Sequence, residues 1–147
     1  MIDRVNGKGH FGERGKTDMI NYGFTKELNV PFEKVVETVI QELKNEGFGV
    51  LTKIDVKEKF KEKLGIDFTK YVILGACNPA NAHEAILAEE NIGLMLPCNV
   101  IVYEKEKGVV VSIVKPTVAM EMIDNEGLKQ LAIQVEQQLK KVFDSMN

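Results

Sequence analysis

The stretch 71–103 constrains this chain most. It holds an apolar run ending in Cys77-Asn78-Pro79, a helical segment, and a second apolar run that opens at Pro97-Cys98-Asn99. Strand-sized runs flanked by Asn and Pro predict strands over 71–77 and 98–104. Asn78 then supplies a helix N-cap and Pro79 a first-turn proline, so the intervening helix is predicted over about 80–90. Both cysteines of the chain therefore sit where a predicted strand meets its connection. If the two strands are antiparallel neighbours, the end of one lies beside the start of the other and the thiols come close. A parallel crossover would put them at opposite ends of the sheet; the meander-like order of the strands favours the first arrangement.

The rest of the chain organises itself around that unit. A first strand is predicted over 20–28. Pro31 then opens a helix in which Phe32, Val35, Val36, Val39, Ile40 and Leu43 recur at three- and four-residue steps, until Gly47 stops it. A second strand follows over 48–54, and Asp55 with Glu58 three residues later forms a capping-box pattern that starts a short helix through Leu64. The turn Lys105-Glu106-Lys107-Gly108 joins the fourth strand to a fifth over 109–115 as a hairpin. Residues 116–123 read as irregular or one helical turn. From Gly127 a long helix carries Leu128, Leu131, Ala132, Val135, Leu139, Val142 and Phe143 on one side. The order strand, helix, four strands, helix predicts an α+β domain over 20–147. Its sheet is mostly antiparallel and five-stranded, with two long amphipathic helices on one face, in a TATA-box-binding-protein-like topology. Both alternate rows of the last two strands are largely apolar, which implies a further cover for the second face, most simply a second subunit.

Residues 1–19 are glycine-rich and alternate in charge, and read as an extended N-terminal arm. Gly15-Lys16-Thr17 resembles the end of a phosphate loop, but His10 stands where that motif requires glycine, so no nucleotide site is assigned.

The triplets Cys77-Asn78-Pro79 and Leu96-Pro97-Cys98, the earlier Phe48-Gly49-Val50-Leu51 and the later Lys115-Pro116 resemble, in order and spacing, the domain-of-unknown-function family 302. The resemblance spans from about Asn21 to the C-terminus. It implies a compact α+β domain, often dimeric, with no activity assigned to the family.

Composition narrows the function classes. At 147 residues, 44% hydrophobic, 28% charged and a net charge of −3, the chain suits one soluble domain and argues against a general phosphate-backbone binder. Its apolar runs are too short and interrupted for a membrane span, so the expected location is cytoplasmic, where two cysteines stay reduced. No nucleic-acid or membrane partner is expected; a homodimer and a small-molecule ligand are. The candidate ligand-binding residues are Cys77, Asn78, Pro79, His83, Pro97, Cys98, Asn99 and Lys115. Cys77 lies just before a helix N-terminus, which favours a thiolate, and His83 lies one turn beyond Pro79. Cys77, Cys98 and His83 would suit a soft or borderline metal, and a close dithiol would suit redox exchange. Without a Cys-x-x-Cys motif or a nearby second histidine, however, no metal, cofactor or catalytic residue is assigned. The leading expectation is a two-cysteine pocket for a small molecule with thiol chemistry open to it. Its alternative is a dimerisation or interaction module whose cysteines are buried structure. An enzyme pairing Cys77 with His83 ranks third.

Overall fold

The computed structural model describes residues 20–147. The expected N-terminal arm over 1–19, with His10 and the rejected phosphate loop, lies outside the described residues. The elements are β1 (Gly23–Leu28), α1 (Phe32–Asn45), β2 (Gly49–Asp55), α2 (Val56–Leu64), β3 (Tyr71–Cys77), α3 (Pro79–Ala88), a 3₁₀ turn (Glu90–Met95), β4 (Cys98–Glu104), β5 (Val109–Val114), α4 (Pro116–Ala119) and α5 (Glu126–Asp144). The strands form one antiparallel sheet in the order β1-β5-β4-β3-β2. β2 to β5 thus meander in sequence order, and β1 returns to pair with β5 at the far edge.

Local chemistry explains most boundaries. α1 buries Val35, Val36, Val39 and Leu43. It ends where Gly47 takes φ +87°, letting the Phe48 N–H reach back to the Leu43 carbonyl at 2.9 Å. That six-to-one bond is the Schellman arrangement, which only a residue tolerant of the left-handed region closes without strain. Asp55 caps α2 by accepting the Glu58 N–H at 3.0 Å. Asn78 caps α3 by accepting the Asn81 N–H at 3.2 Å, with Pro79 in its first turn.

One face of the sheet is the core. Val72, Leu74 and Ala76 of β3 stand opposite Val102, Val100 and Cys98 of β4, and Val100 and Val102 in turn oppose Ile113 and Val111 of β5. All of these are buried, beneath the apolar stripes of α1 and α5. α5 is held at both ends. At its start, the Asn125 side chain accepts the Leu128 N–H at 3.0 Å and donates to the Ala88 carbonyl at 2.7 Å. At its end, Lys26 of β1 donates to the Phe143 and Met146 carbonyls at 2.8 and 2.7 Å, and its ammonium lies 4.2 Å from the Phe143 ring centroid. A cation at a helix C-terminus satisfies orphan carbonyls and complements the macrodipole.

The opposite face carries the row Ile54, Ile73, Ile101, Ser112, Thr25 across all five strands. Beside it Tyr71 and Tyr103 stack with centroids 5.1 Å apart. Burial raises the Tyr103 hydroxyl to about 12, with the neighbouring Tyr71, Glu27 and Tyr22 adding to the effect.

Replacing Asn125 by Ala removes the α5 cap and the tie to α3 together. It is expected to cost about 1–2 kcal/mol in urea unfolding; a loss within a few tenths would mean that the stripe alone positions the helix.

Candidate functional site

β3 and β4 are antiparallel neighbours, so both cysteines reach the same end of the sheet. Cys98 stands opposite Ala76 rather than Cys77, and the two thiols are therefore offset by one residue. Strand alternation puts Cys98 with Ala76 on the core side, and Cys77, at the last position of its strand, borders the same cavity. Both are free, Cys98 buried and Cys77 half-buried.

At this end of the sheet a cavity of about 40 Å³ lies beneath α3 and α5. Its floor is Phe48, Ala76, Cys77 and Cys98; its roof is Ala82 and Ala85 of α3 with Leu128, Leu131, Ala132 and Val135 of α5. Pro97, Pro116 and Met120 close the sides. The void follows from small side chains meeting: Ala76, Ala82, Ala85 and Ala132 all face it. No ionisable residue other than the two thiols lines it. Of its two amides, Asn78 uses its oxygen to cap α3 and Asn81 donates to Gln138 Oε1 at 2.8 Å. Cys77, Asn78, Asn81, Ala82, Leu96 and Pro97 are partly exposed, which sets the mouth between the first turn of α3 and the loop before β4. A water needs about 10–15 Å³ of such space, and an apolar void of this kind stays dry.

Gly75 makes the wall possible. A Cβ built there would stand 2.8 Å from Pro97 Cγ and would also meet the Thr52 hydroxyl, so a side chain at 75 would displace the Pro97 ring. The Leu96–Pro97 peptide is cis.

Burial pushes the Cys98 thiol up to about 11, and the nearby charge of Cys77 adds to it. Cys98 is thus protonated at neutral pH, contrary to what an activated dithiol requires.

Of the expected ligand residues, Cys77, Asn78, Pro97 and Cys98 line the cavity, whereas Pro79, His83, Asn99 and Lys115 do not. His83 is exposed because the inward stripe of α3 runs through Asn78, Asn81, Ala82 and Ala85, leaving position 83 on the outer side. His83 is therefore not among the residues that line the cavity. Pro79 is exposed in the first turn of α3. Asn99 is exposed, and strand alternation after Cys98 gives it the opposite phase. Lys115 places its ammonium 5.0 Å from the Phe24 ring centroid, a cation–π contact. Among the described residues no group of three or more His, Cys, Asp or Glu side chains could hold a metal ion. The lining that was not anticipated comes from α3 and α5, whose Leu128, Leu131, Ala132 and Val135 read in sequence as an ordinary core stripe. The signal available was the excess of alanine facing that stripe.

Residues 24–146 match the family described as Domain of unknown function DUF302. Among solved structures, the crystal structure of uncharacterized conserved protein DUF302 from Bacillus stearothermophilus is similar at 33% identity and a TM-score of 0.79, over 85% of this chain and 98% of that one. No curated protein matches the chain. No helix among the described residues is long and apolar enough to cross a membrane.

Two outcomes are expected. Gly75→Ala should destabilise by about 1–3 kcal/mol through overpacking against Pro97, measured by urea unfolding; an unchanged midpoint would show that the ring yields freely. The second concerns alkali. The folded chain holds the Cys98 proton to about pH 11 while the unfolded thiol loses it near 9.0, so this stability is present below pH 9 and is lost as pH rises toward 11. The full loss is about 2–3 kcal/mol, and Cys98→Ala should flatten the decline between about pH 9 and about pH 11; equal slopes for the two proteins would contradict the assignment.

Proposed function

The chain belongs to the DUF302 family, and we propose that it is a binding domain that takes up a small neutral apolar group in the cavity between α3, α5 and the end of the sheet. The observation that carries this reading is the lining itself: four alanines meet across a void bordered by hydrocarbon and two thiols, with no cation to attract an anion. An apolar group entering such a space gains dispersion contacts that the empty wall lacks. The volume suits a fragment of a few carbon atoms, since drug-sized ligands need pockets of about 300–1,000 Å³. The two thiols act as soft, polarisable wall atoms rather than as a redox couple. A reducing cytoplasm keeps them in that state.

A second reading, an interaction module whose cysteines are packing alone, is favoured by the burial of Cys98. Ligand-dependent protection of the half-buried Cys77 separates the two.

The test combines differential scanning calorimetry with thiol labelling, using xenon and short neutral alkyl alcohols as probes and carboxylates of the same chain length as controls. Neutral probes are expected to raise Tm, by about 2–4 °C for each kcal/mol of binding energy, and to slow Cys77 alkylation, while the carboxylates do neither. Ala132→Leu, which fills the void, should abolish both effects. Probes that leave Tm and labelling unchanged, or that act equally on the filled variant, would overturn the reading.

A further inference from the structure

We infer that the surface formed by the end of α3, the 3₁₀ turn and the connection from α4 to α5 is a docking site for a cationic amphipathic helix of a partner protein. The three most exposed large apolar side chains among the described residues all belong to these segments: Leu94 at 86%, Met122 at 79% and Leu87 at 73%. Single exposed residues of this kind are ordinary, whereas a group of them with a polar rim marks an interaction site. Asn125 ties the segments together. Its amide donates to the Ala88 carbonyl at 2.7 Å and to Glu89 Oε1 at 3.1 Å, while its oxygen accepts the Leu128 N–H. Leu87 precedes Ala88 by one residue and Met122 precedes Asn125 by three, so at most about 10 Å of chain separates either from that junction. Leu94 is carried by the 3₁₀ turn that starts at Glu90, and the same turn is anchored in the core by Ile92. None of the three lines the cavity, so this surface is separate from the binding site proposed above.

The charge of these segments has one sign and selects the partner. They carry Glu89, Glu90, Glu121, Asp124 and Glu126, and no Lys or Arg occurs over 71–104 or 116–128. None of the five carboxylates has an ion pair among the described residues; Glu89 and Glu126 accept hydrogen bonds only from the uncharged amides of Asn125 and Gln130. The nearest cations in the chain do not neutralise them. Lys115 lies against the Phe24 ring, and Lys129, in the first turns of α5, forms no ion pair. An apolar patch in an anionic field favours a partner whose apolar stripe is bordered by Lys or Arg, because opposite charge steers the encounter and like charge repels other partners. The edges of the sheet are β1 and β2, and neither contributes to this surface, so recognition runs through side chains rather than an added strand. A helix with apolar anchors at i, i+3, i+4 and i+7 and cations beside them meets both requirements.

Fluorescence anisotropy of a labelled helical peptide built from Leu and Lys, titrated with the full chain, tests the proposal; a Leu and Glu peptide of the same apolar pattern is the control. The cationic peptide is expected to bind, more weakly as salt is raised, and the anionic one to show no binding. Leu94→Ser and Met122→Ser change side chains that are almost fully in water, so Tm should hold while each raises the peptide Kd by roughly tenfold. Glu121→Gln combined with Asp124→Asn should weaken binding several-fold and flatten its salt dependence. Leu64→Ser, an equally open site on the lysine-bearing α2, should leave binding unchanged. Absence of binding to the wild type, equal binding of both peptides, or binding indifferent to Leu94→Ser and Met122→Ser would each overturn the proposal. So would self-association of the wild type, seen by sedimentation, that Leu94→Ser abolishes, because the occupant would then be a second copy of the chain.

Discussion

The anchoring of α5 is the constraint on which the rest of the structure depends. A sheet with one apolar face needs a cover, and a long amphipathic helix supplies it without specifying where along the sheet it lies. Here polar contacts at both ends decide that, together with the bonds that Glu136 and Gln138 accept from Thr117 and Asn81 along the helix. Asn125 joins the helix start to the end of α3, and Lys26 holds its last carbonyls against β1. Between those points the stripe of Leu128, Leu131, Ala132 and Val135 falls over the end of β3 and β4. Net hydrogen bonds are individually modest, but these remove the freedom to slide that burial alone would leave.

The cavity is a consequence of that placement. With α5 fixed and α3 capped by Asn78, the alanines of three elements are brought face to face and cannot fill the space between them. Interiors are normally packed to the density of organic crystals, so a void bordered by four alanines departs from the rule at one defined place. The same burial that shapes it decides the chemistry of Cys98. A thiol removed from water resists ionisation, and Cys98 therefore keeps its proton at physiological pH.

Much of the architecture was legible in local signals. The strands Tyr71–Cys77 and Cys98–Glu104, the Asn78 and Asp55 caps, the Gly47 stop and the α5 stripe are all set by chemistry within a few residues. The long arms of the amphipathic helices showed which face would turn inward. Candidate site residues were less legible. Cys77 and Cys98 were singled out by their positions at strand ends, and the structure does bring both to one cavity. Pro79, His83 and Asn99 were grouped with them as near neighbours in the chain, which ignores the phase of a helix or strand, and Lys115 by its place at the end of the fifth strand. One residue of displacement along β4 moves Asn99 away from the core, and His83 lies outside the inward stripe of α3.

The sequence by itself determined the elements, their caps and their apolar faces, because propensity, turn chemistry and periodicity act over a handful of neighbouring positions. Only the tertiary structure decided that β3 and β4 pair antiparallel, that alanines from β3, α3 and α5 meet across a void, that Cys98 lies deep enough to keep its proton, and that β2 is left as the open edge. Each of these depends on which distant segments oppose one another, and a pattern of 3.6 or 2 residues says which way a side chain points without saying what it will meet.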